Sequence, residues 1–341
     1  MRYKLLGKSG LRVSELALGT MTFGEEWGWG ASKDESHKIF QAFAEAGGNF
    51  IDTANRYTEG TSEKYVGEFI APDRAHFVVS TKYTLVTRRG DPNAAGNHRK
   101  NMVQSLEASL KRLQTDYIDV YWVHAWDGIT PIEEVMRALD DLVRAGKVLY
   151  VGISDTPAWV VSRANTLAEL HGWTQFIGLQ IRYSLLDRAV ERDLLPMARA
   201  LDIGVTAWGA LGSGVLSGKY NKNASESGRA AMWHVLDARS LAIAEAATKI
   251  ANEVGRSPAQ VALNWVRQQP GVVIPIVGSR KLAQILDNVA CVEFKLTDEQ
   301  MQRLNEVSKI ELGFPHDFLA SDEIKDIVFA GTYDQIDTRR G

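Results

Sequence analysis

Eight short apolar runs recur along the chain, at residues 16–18, 49–53, 77–81, 120–123, 149–153, 176–181, 204–208 and 272–277. Each is continuous and most are rich in Val, Ile or Phe. A strand with one wet face alternates apolar and polar residues, whereas one covered on both faces reads as an unbroken run. The stretches between carry a helical period. DESHKIFQAFAEAG sets Ile39, Phe40 and Phe43 on one face and stops at Gly47. NMVQSLEASLKRLQ repeats this with Met102, Leu106 and Leu110, and IEEVMRALDDLVRAG ends at Gly146. SPAQVALNWVRQQP offers Ser257 as N-cap, Pro258 as first helical residue and Pro270 as a stop. Buried strands alternating with helices predict a closed (β/α)₈ TIM barrel, taken as one domain over residues 1–341. The opening RYKLLGKSGLRVSEL, within 1–15, reads as an N-terminal β-hairpin around Gly-Lys-Ser-Gly.

The rival fold is an open dinucleotide-binding sheet, which needs Gly-x-Gly-x-x-Gly between strand and helix. GTMTFG does not match it, and GALGSG opens a loop instead of a helix. Two segments fit neither strand nor helix: 209–240, rich in Gly and Ser, and the tail 310–341, a candidate lid.

Composition removes several classes of function. The chain has 39 basic and 42 acidic residues, a net charge of −3, and no basic run, which argues against a nucleic-acid partner. Its one cysteine, Cys291, lies in an apolar run and is expected to be buried. One cysteine allows no intrachain disulfide and no multi-cysteine metal site, and suits a reducing compartment, here the cytoplasm. MRYKLLGKSG lacks a long apolar stretch, so no secretory signal is expected, and no uninterrupted apolar segment is long enough for a membrane span. His124, His171, His234 and His316 have no metal-ligand spacing, so no metal is expected.

In such a barrel, function sits at the C-terminal ends of the strands. The second run reaches Asp52, with Tyr57 just beyond it; the third leads to Lys82 and the fourth to His124. Singly, these are a turn or cap acid, a surface phenol, a solvated lysine and a core histidine. Together, on consecutive strands at one rim, they read as a shared site. A phenol ordinarily holds its proton to about pH 10. A neighbouring ammonium lowers that value; Lys82 supplies the charge and Asp52 keeps it protonated through a charge-assisted bond. His124 can hold the substrate oxygen or the phenol. This makes a proton donor for an oxygen becoming an alkoxide. Carbonyl reduction also needs hydride, which no side chain supplies, so a nicotinamide cofactor is expected.

LGTMTFG, FIDTANRY, STK, DVYWVH, GISD, LQIRYSLL and IPIVGSR resemble the aldo-keto reductases, over nearly the whole chain. The resemblance implies an NADP(H)-dependent oxidoreductase barrel acting on small carbonyl or alcohol substrates, with Asp52, Tyr57, Lys82 and His124 as catalytic residues. It implies Ser154, Asp155 and Gln180 on the nicotinamide carboxamide. Asp155 stands where the commonest pattern has Asn. Ionised, it can only accept, and its other reading is a cap for the helix from Pro157. Trp208 would stack on the nicotinamide, and Gly209, Leu211, Gly214 and Lys219 would form a belt over the pyrophosphate. Gly278, Ser279 and Arg280 would meet the adenosine 2′-phosphate, with Gln284 and Asn288 toward the adenine. Backbone N–H groups at that helix start would be a second anion donor. Trp27, Trp29, Tyr83 and Trp126 would line the substrate pocket, with Phe314, His316 and Phe318 from the tail as lid. Aromatic walls favour apolar or aromatic carbonyls. Two other classes stay open: a nucleotide-sensing regulatory subunit with slow turnover, and a lyase or isomerase using Lys82 as a Schiff-base former. The latter needs a lysine of depressed pKa, and Asp52 works against that.

Overall fold

All eight apolar runs form strands in the computed structural model, which describes residues 1–222 and 236–337. After a hairpin of β1 (Tyr3–Leu5) and β2 (Arg12–Ser14) come β3 (Ala17–Gly19), β4 (Phe50–Asp52), β5 (Val78–Tyr83) and β6 (Ile118–Val123). β7 (Val148–Ser154), β8 (Phe176–Arg182), β9 (Gly204–Trp208) and β10 (Val273–Gly278) complete the set. β3 to β10 close into one parallel barrel, with β10 pairing back onto β3. β1 and β2 pair antiparallel.

The predicted helices are present. α1 (Lys33–Glu45), α2 (Thr61–Ile70), α3 (Arg99–Leu113), α4 (Ile132–Arg144), α5 (Ala158–His171) and α6 (Leu194–Ala200) follow the six strands β3 to β8 in turn. α7 (Lys219–Lys222), α8 (Ala238–Val254), α9 (Pro258–Arg267), α10 (Leu282–Val289) and α11 (Asp298–Val307) follow, then α12 (His316–Ala320) and α13 (Asp322–Phe329) in the tail. α9 starts as its sequence requires: Ser257 Oγ accepts from Gln260 N at 3.2 Å, and Pro258 is its first residue. Within 209–240 the described residues form a 3₁₀ stretch at Gly212–Ser217, then α7 and the start of α8; residues 223–235, which include His234, lie outside the described residues. No described helix is long and apolar enough to cross a membrane.

Strand alternation divides the apolar residues into two cores. Outside the barrel, Leu18, Val79, Tyr121, Ile153 and Leu179 pack under helical residues such as Ile39, Phe43, Met136 and Trp265. Inside it, Ala17, Phe50, Val78, Val120, Trp122 and Ile274 meet Leu6 and Val13 of the hairpin, which plugs the N-terminal end. Trp122 dominates this interior. A Cβ on Gly152 would lie 2.3 Å from its ring, and one on Gly178 2.6 Å, so both strands are glycine where they pass the indole. Below, Arg267 Nη1 pairs with Glu15 Oε2 at 2.6 Å, both buried, tying α9 to the hairpin. The same alternation sets the site: if Phe50, Val78 and Val120 point inward, so do Asp52, Lys82 and Trp122, two or four residues on.

Candidate active site

Lys82 lies at the C-terminal end of β5, fully buried, and its ammonium has three acceptors. It donates to Asp52 Oδ2 at 2.6 Å, to Thr53 O at 2.8 Å and to Tyr57 Oη at 3.1 Å. Three donors with three partners leave no free N–H on the amine. Asp52 is held from the other side by Gln180 Nε2 at 2.9 Å and Ser80 Oγ at 3.1 Å, both on Oδ1. Burial pulls the pKa of Lys82 down, but Asp52 and Tyr57 outweigh it, and the net direction is up. The amine is therefore a fixed cation, not a nucleophile, which removes the Schiff-base reading.

Tyr57 begins the turn after β4. The next two residues, Thr58 and Glu59, have φ of 45° and 54°, a left-handed conformation that non-glycine residues rarely adopt. Thr58 is locked there: its hydroxyl donates to Phe23 O at 2.6 Å and accepts from Ser62 N at 3.1 Å. Such strain persists only where the surroundings over-determine it. Here it aims the phenol at Lys82. The sequence predicts that Lys82 lowers the pKa of this phenol, but the net shift is upward. Burial raises it most, Lys82 pulls it down, and Asp52 raises it again. Protein walls around the hydroxyl disfavour a phenolate more than one paired ammonium favours it. Tyr57 thus keeps its proton at neutral pH.

The His124 ring stands edge-on to Tyr57, centroids 5.9 Å apart at 83°. Burial, and then Lys82, push its pKa well below 6.5, so the imidazole is neutral. Nδ1 is buried with no hydrogen-bond partner among the described residues. A buried unpaired N–H costs about 1–3 kcal/mol, so we assign the proton to Nε2. The backbone of His124 donates to Thr84 Oγ1 at 3.3 Å, and Asn97 Nδ2 donates to the same oxygen at 3.0 Å. Thr84 has φ of 92°, an outlier for a β-branched residue. Thr84 and Asn97 are not readable as site residues from the sequence; the one hint is that Thr84 stands two residues beyond Lys82.

The other predicted residues divide. Ser154 and Gln180 are buried at neighbouring positions on β7 and β8. Asp155 caps no helix: α5 has Pro157 at its N-cap and no side-chain cap bond. Its carboxylate instead accepts from Trp208 Nε1 at 3.0 Å. Trp208 is half-buried at the end of β9. Beyond it Gly209, Gly212, Ser213 and Gly214 all have positive φ, and Leu211 O accepts from Gly214 N at 2.9 Å, giving a tight curl that ends near Lys219. Gly278 and Arg280 are exposed, while Ser279 and Asn288 are buried 3.5 Å apart. Gln284 Oε1 accepts from Arg280 N at 2.9 Å. One expected anion donor is taken: Leu282 N, at the start of α10, donates to Glu35 Oε1 at 2.6 Å. Nothing in the spacing of Glu35 announces this.

The pocket residues also separate. Trp27 Nε1 donates to Glu59 Oε1 at 3.1 Å, and its ring lies 5.7 Å from that of Trp29, so this pair is tied to the turn carrying Tyr57. Trp126 is half-buried two residues beyond His124. Tyr83 cannot line a pocket. With Lys82 inward, alternation turns Tyr83 outward; it is fully buried, stacked on Tyr121 at 5.4 Å, and donates to Asn97 O at 3.1 Å. Phe314 and Phe318 are exposed and 6.0 Å from each other, so this structure does not pack them as a lid. No cluster of potential metal ligands occurs among the described residues. Cys291 is buried, which pushes its thiol up to about 12.

The residues that meet here come from β4, β5, β6, β7 and β8, all at one rim. The profile of the aldo/keto reductase family matches residues 15–309. Norsolorinic acid reductase B of Dothistroma septosporum is 40% identical over 338 residues, 94% of this chain and 85% of that protein. The aryl-alcohol dehydrogenase [NADP(+)] of Phanerodontia chrysosporium is 38% identical over 96% of this chain and 91% of its own length. Aldo-keto reductase ausK of Aspergillus calidoustus is 38% identical over 94% and 85%. With a closed parallel barrel, a Lys82-centred site at its C-terminal rim and matches spanning nearly the full chain, this protein belongs to the aldo/keto reductase family.

Proposed function

We infer that the chain is an NADP(H)-dependent oxidoreductase that reduces aldehydes or ketones to alcohols, or runs the reverse reaction, and that its preferred carbonyls are aromatic. The contact that carries this reading is Lys82 Nζ within hydrogen-bond reach of both Asp52 and Tyr57. The donor set fits a dinucleotide. Ser154 and Gln180 offer a hydroxyl and an amide at one end, Trp208 a half-open ring, and Ser279 and Arg280 a hydroxyl and a guanidinium at the other. Arg280 pairs with no carboxylate among the described residues, which leaves its fork for the phosphate that distinguishes NADP(H). When bound, the nicotinamide supplies or takes the hydride.

The chain's own groups handle the proton. Tyr57 Oη gives its proton to the carbonyl oxygen as negative charge builds there. Lys82 stabilises the phenolate left behind, and Asp52, held by Gln180 and Ser80, keeps that ammonium in place. His124, neutral with its proton on Nε2, donates a hydrogen bond to the same oxygen and orients the carbonyl. General acid catalysis of this kind is worth roughly 10²–10⁴-fold. Trp27, Trp29 and Trp126 provide flat apolar walls, and the printed name of one relative, an aryl-alcohol dehydrogenase, points to aryl substrates. The lone, buried Cys291 suits a reducing compartment, and we place the protein in the cytoplasm.

The test is NADPH oxidation against a panel of aromatic and aliphatic aldehydes and ketones, with Tyr57→Phe as control. That variant removes the transferable proton and little else. We expect NADPH binding to persist and reduction to fall by roughly 10²-fold or more. Tight NADPH binding with negligible turnover on every substrate would favour the nucleotide-sensing alternative.

A further inference from the structure

Trp208 is held by a carboxylate. Its indole Nε1 donates to Asp155 Oδ1 at 3.0 Å. The Arg182 guanidinium lies 5.7 Å from the indole centroid and pairs with Asp187 at 3.1 Å. Asp155 is itself aimed by its backbone, with φ of 43° and its N–H donating to Gln180 O at 3.1 Å. Beside these residues opens a cavity of about 450 Å³, with Trp208, Asp155, Arg182, Ile181 and Val190 on its walls. An indole at the edge of such a space has room to swing unless something ties its polar edge.

We propose that Asp155 is a positioning residue: it fixes the plane of the Trp208 ring and does not itself hold the nicotinamide carboxamide. The proposal rests on the reading that Trp208 stacks on the nicotinamide. A carboxamide presents both an NH₂ donor and a carbonyl acceptor, so a side chain facing it is best an amide, which can answer both. An ionised carboxylate can only accept, and an indole N–H can only donate. Carboxylate and indole are therefore matched, and the bond between them is charge-assisted. A platform already oriented does not have to be ordered when the ligand arrives, and that lowers the dissociation constant without a new contact to the ligand.

The experiment is a double-mutant cycle on the full chain, with the dissociation constant of NADPH read from its own fluorescence. Asp155→Ala removes the acceptor, and Trp208→Phe keeps a ring but removes the N–H. Asp155→Gly is run beside Asp155→Ala so that backbone strain at positive φ is not mistaken for a lost contact. We expect Asp155→Ala and Asp155→Gly to weaken NADPH binding roughly 5- to 10-fold in the wild-type background. In the Trp208→Phe background the same changes should cost less than about 2-fold. Asp155→Asn keeps an oxygen for the indole and should restore affinity to within about 3-fold of wild type, which a general loss of folding would not do. Equal losses in both backgrounds mean that the carboxylate touches the cofactor directly, and the proposal is wrong. No loss from Asp155→Gly in wild type overturns it as well. If wild type itself fails to bind NADPH, the functional reading falls and takes this proposal with it, an outcome distinct from both.

Discussion

His124, half-buried with its Nδ1 enclosed, shows how one group ties stability to pH. Its folded pKa lies well below the ordinary 6.5, through burial first and Lys82 second. Between that lowered value and 6.5, the unfolded chain binds a proton that the folded chain refuses. Stability therefore rises with pH across this window and is lost as pH falls below 6.5, by at most about 1.4 kcal/mol per unit. The midpoint of urea unfolding should drop between pH 7 and pH 5, and less steeply in His124→Gln. The rate of carbonyl reduction should show no inflection near 6.5, because the imidazole is neutral on both sides of it. It should fall only in alkali, where Tyr57, raised above the usual phenol value, finally ionises. A limb near 6.5 that vanishes with His124→Gln would refute the neutral donor. The positions of Asp52, Lys82 and His124 were legible in the sequence because a strand's period is two and each stands an even number of residues from an inward apolar neighbour. The direction of the Tyr57 shift was not. A sequence shows which charges are near in the chain, but burial, the larger influence here, exists only after eight strands have closed.

Strands and helices were legible almost throughout, the strands as unbroken apolar runs and the helices because their period repeats over many residues. What escaped were single contacts between elements distant in the chain. Gly152 and Gly178 look like ordinary glycines in apolar runs until Trp122 is seen between them. Glu35 looks like a solvated helix acid until α10 begins beside it. The closeness of Trp122 to β7 makes a sharp test. In Gly152→Ala the new methyl would fall 2.3 Å from the ring, so the indole or the strand must move. Overpacking of this kind costs about 1–3 kcal/mol. The smaller ring of Trp122→Phe should recover part of that loss when combined with Gly152→Ala, although alone it destabilises by opening a void. Urea unfolding of the four proteins measures the coupling. Additive losses would mean that the glycine is not there for the tryptophan.

The family match ends at residue 309, and the packing changes at nearly the same place. Around that boundary the chain is pinned: Arg188 reaches Ser308 Oγ at 2.8 Å, Arg239 reaches Ser308 O at 2.9 Å, and Arg192 reaches Glu311 O at 2.8 Å. Past it, Phe314 is 85% exposed and Ile327 67%. Among the described residues, the hydrogen bonds of 314–337 run to one another and to Gly313. No buried core residue lies in this stretch. A chain ended after Gly313 should therefore melt within about 2 °C of the full protein, since at this size 1 kcal/mol moves the midpoint by only a few degrees. Its NADPH affinity should also be unchanged, because the proposed cofactor residues stop at Asn288. The KM for an aromatic aldehyde is the decisive reading. With the tail packed as it is here, KM stays within about 2-fold, as expected when no substrate contact is removed. A several-fold rise in KM at constant NADPH affinity and constant melting temperature would mean that Phe314 and Phe318 leave the solvent to close over the substrate, as the sequence had led us to expect.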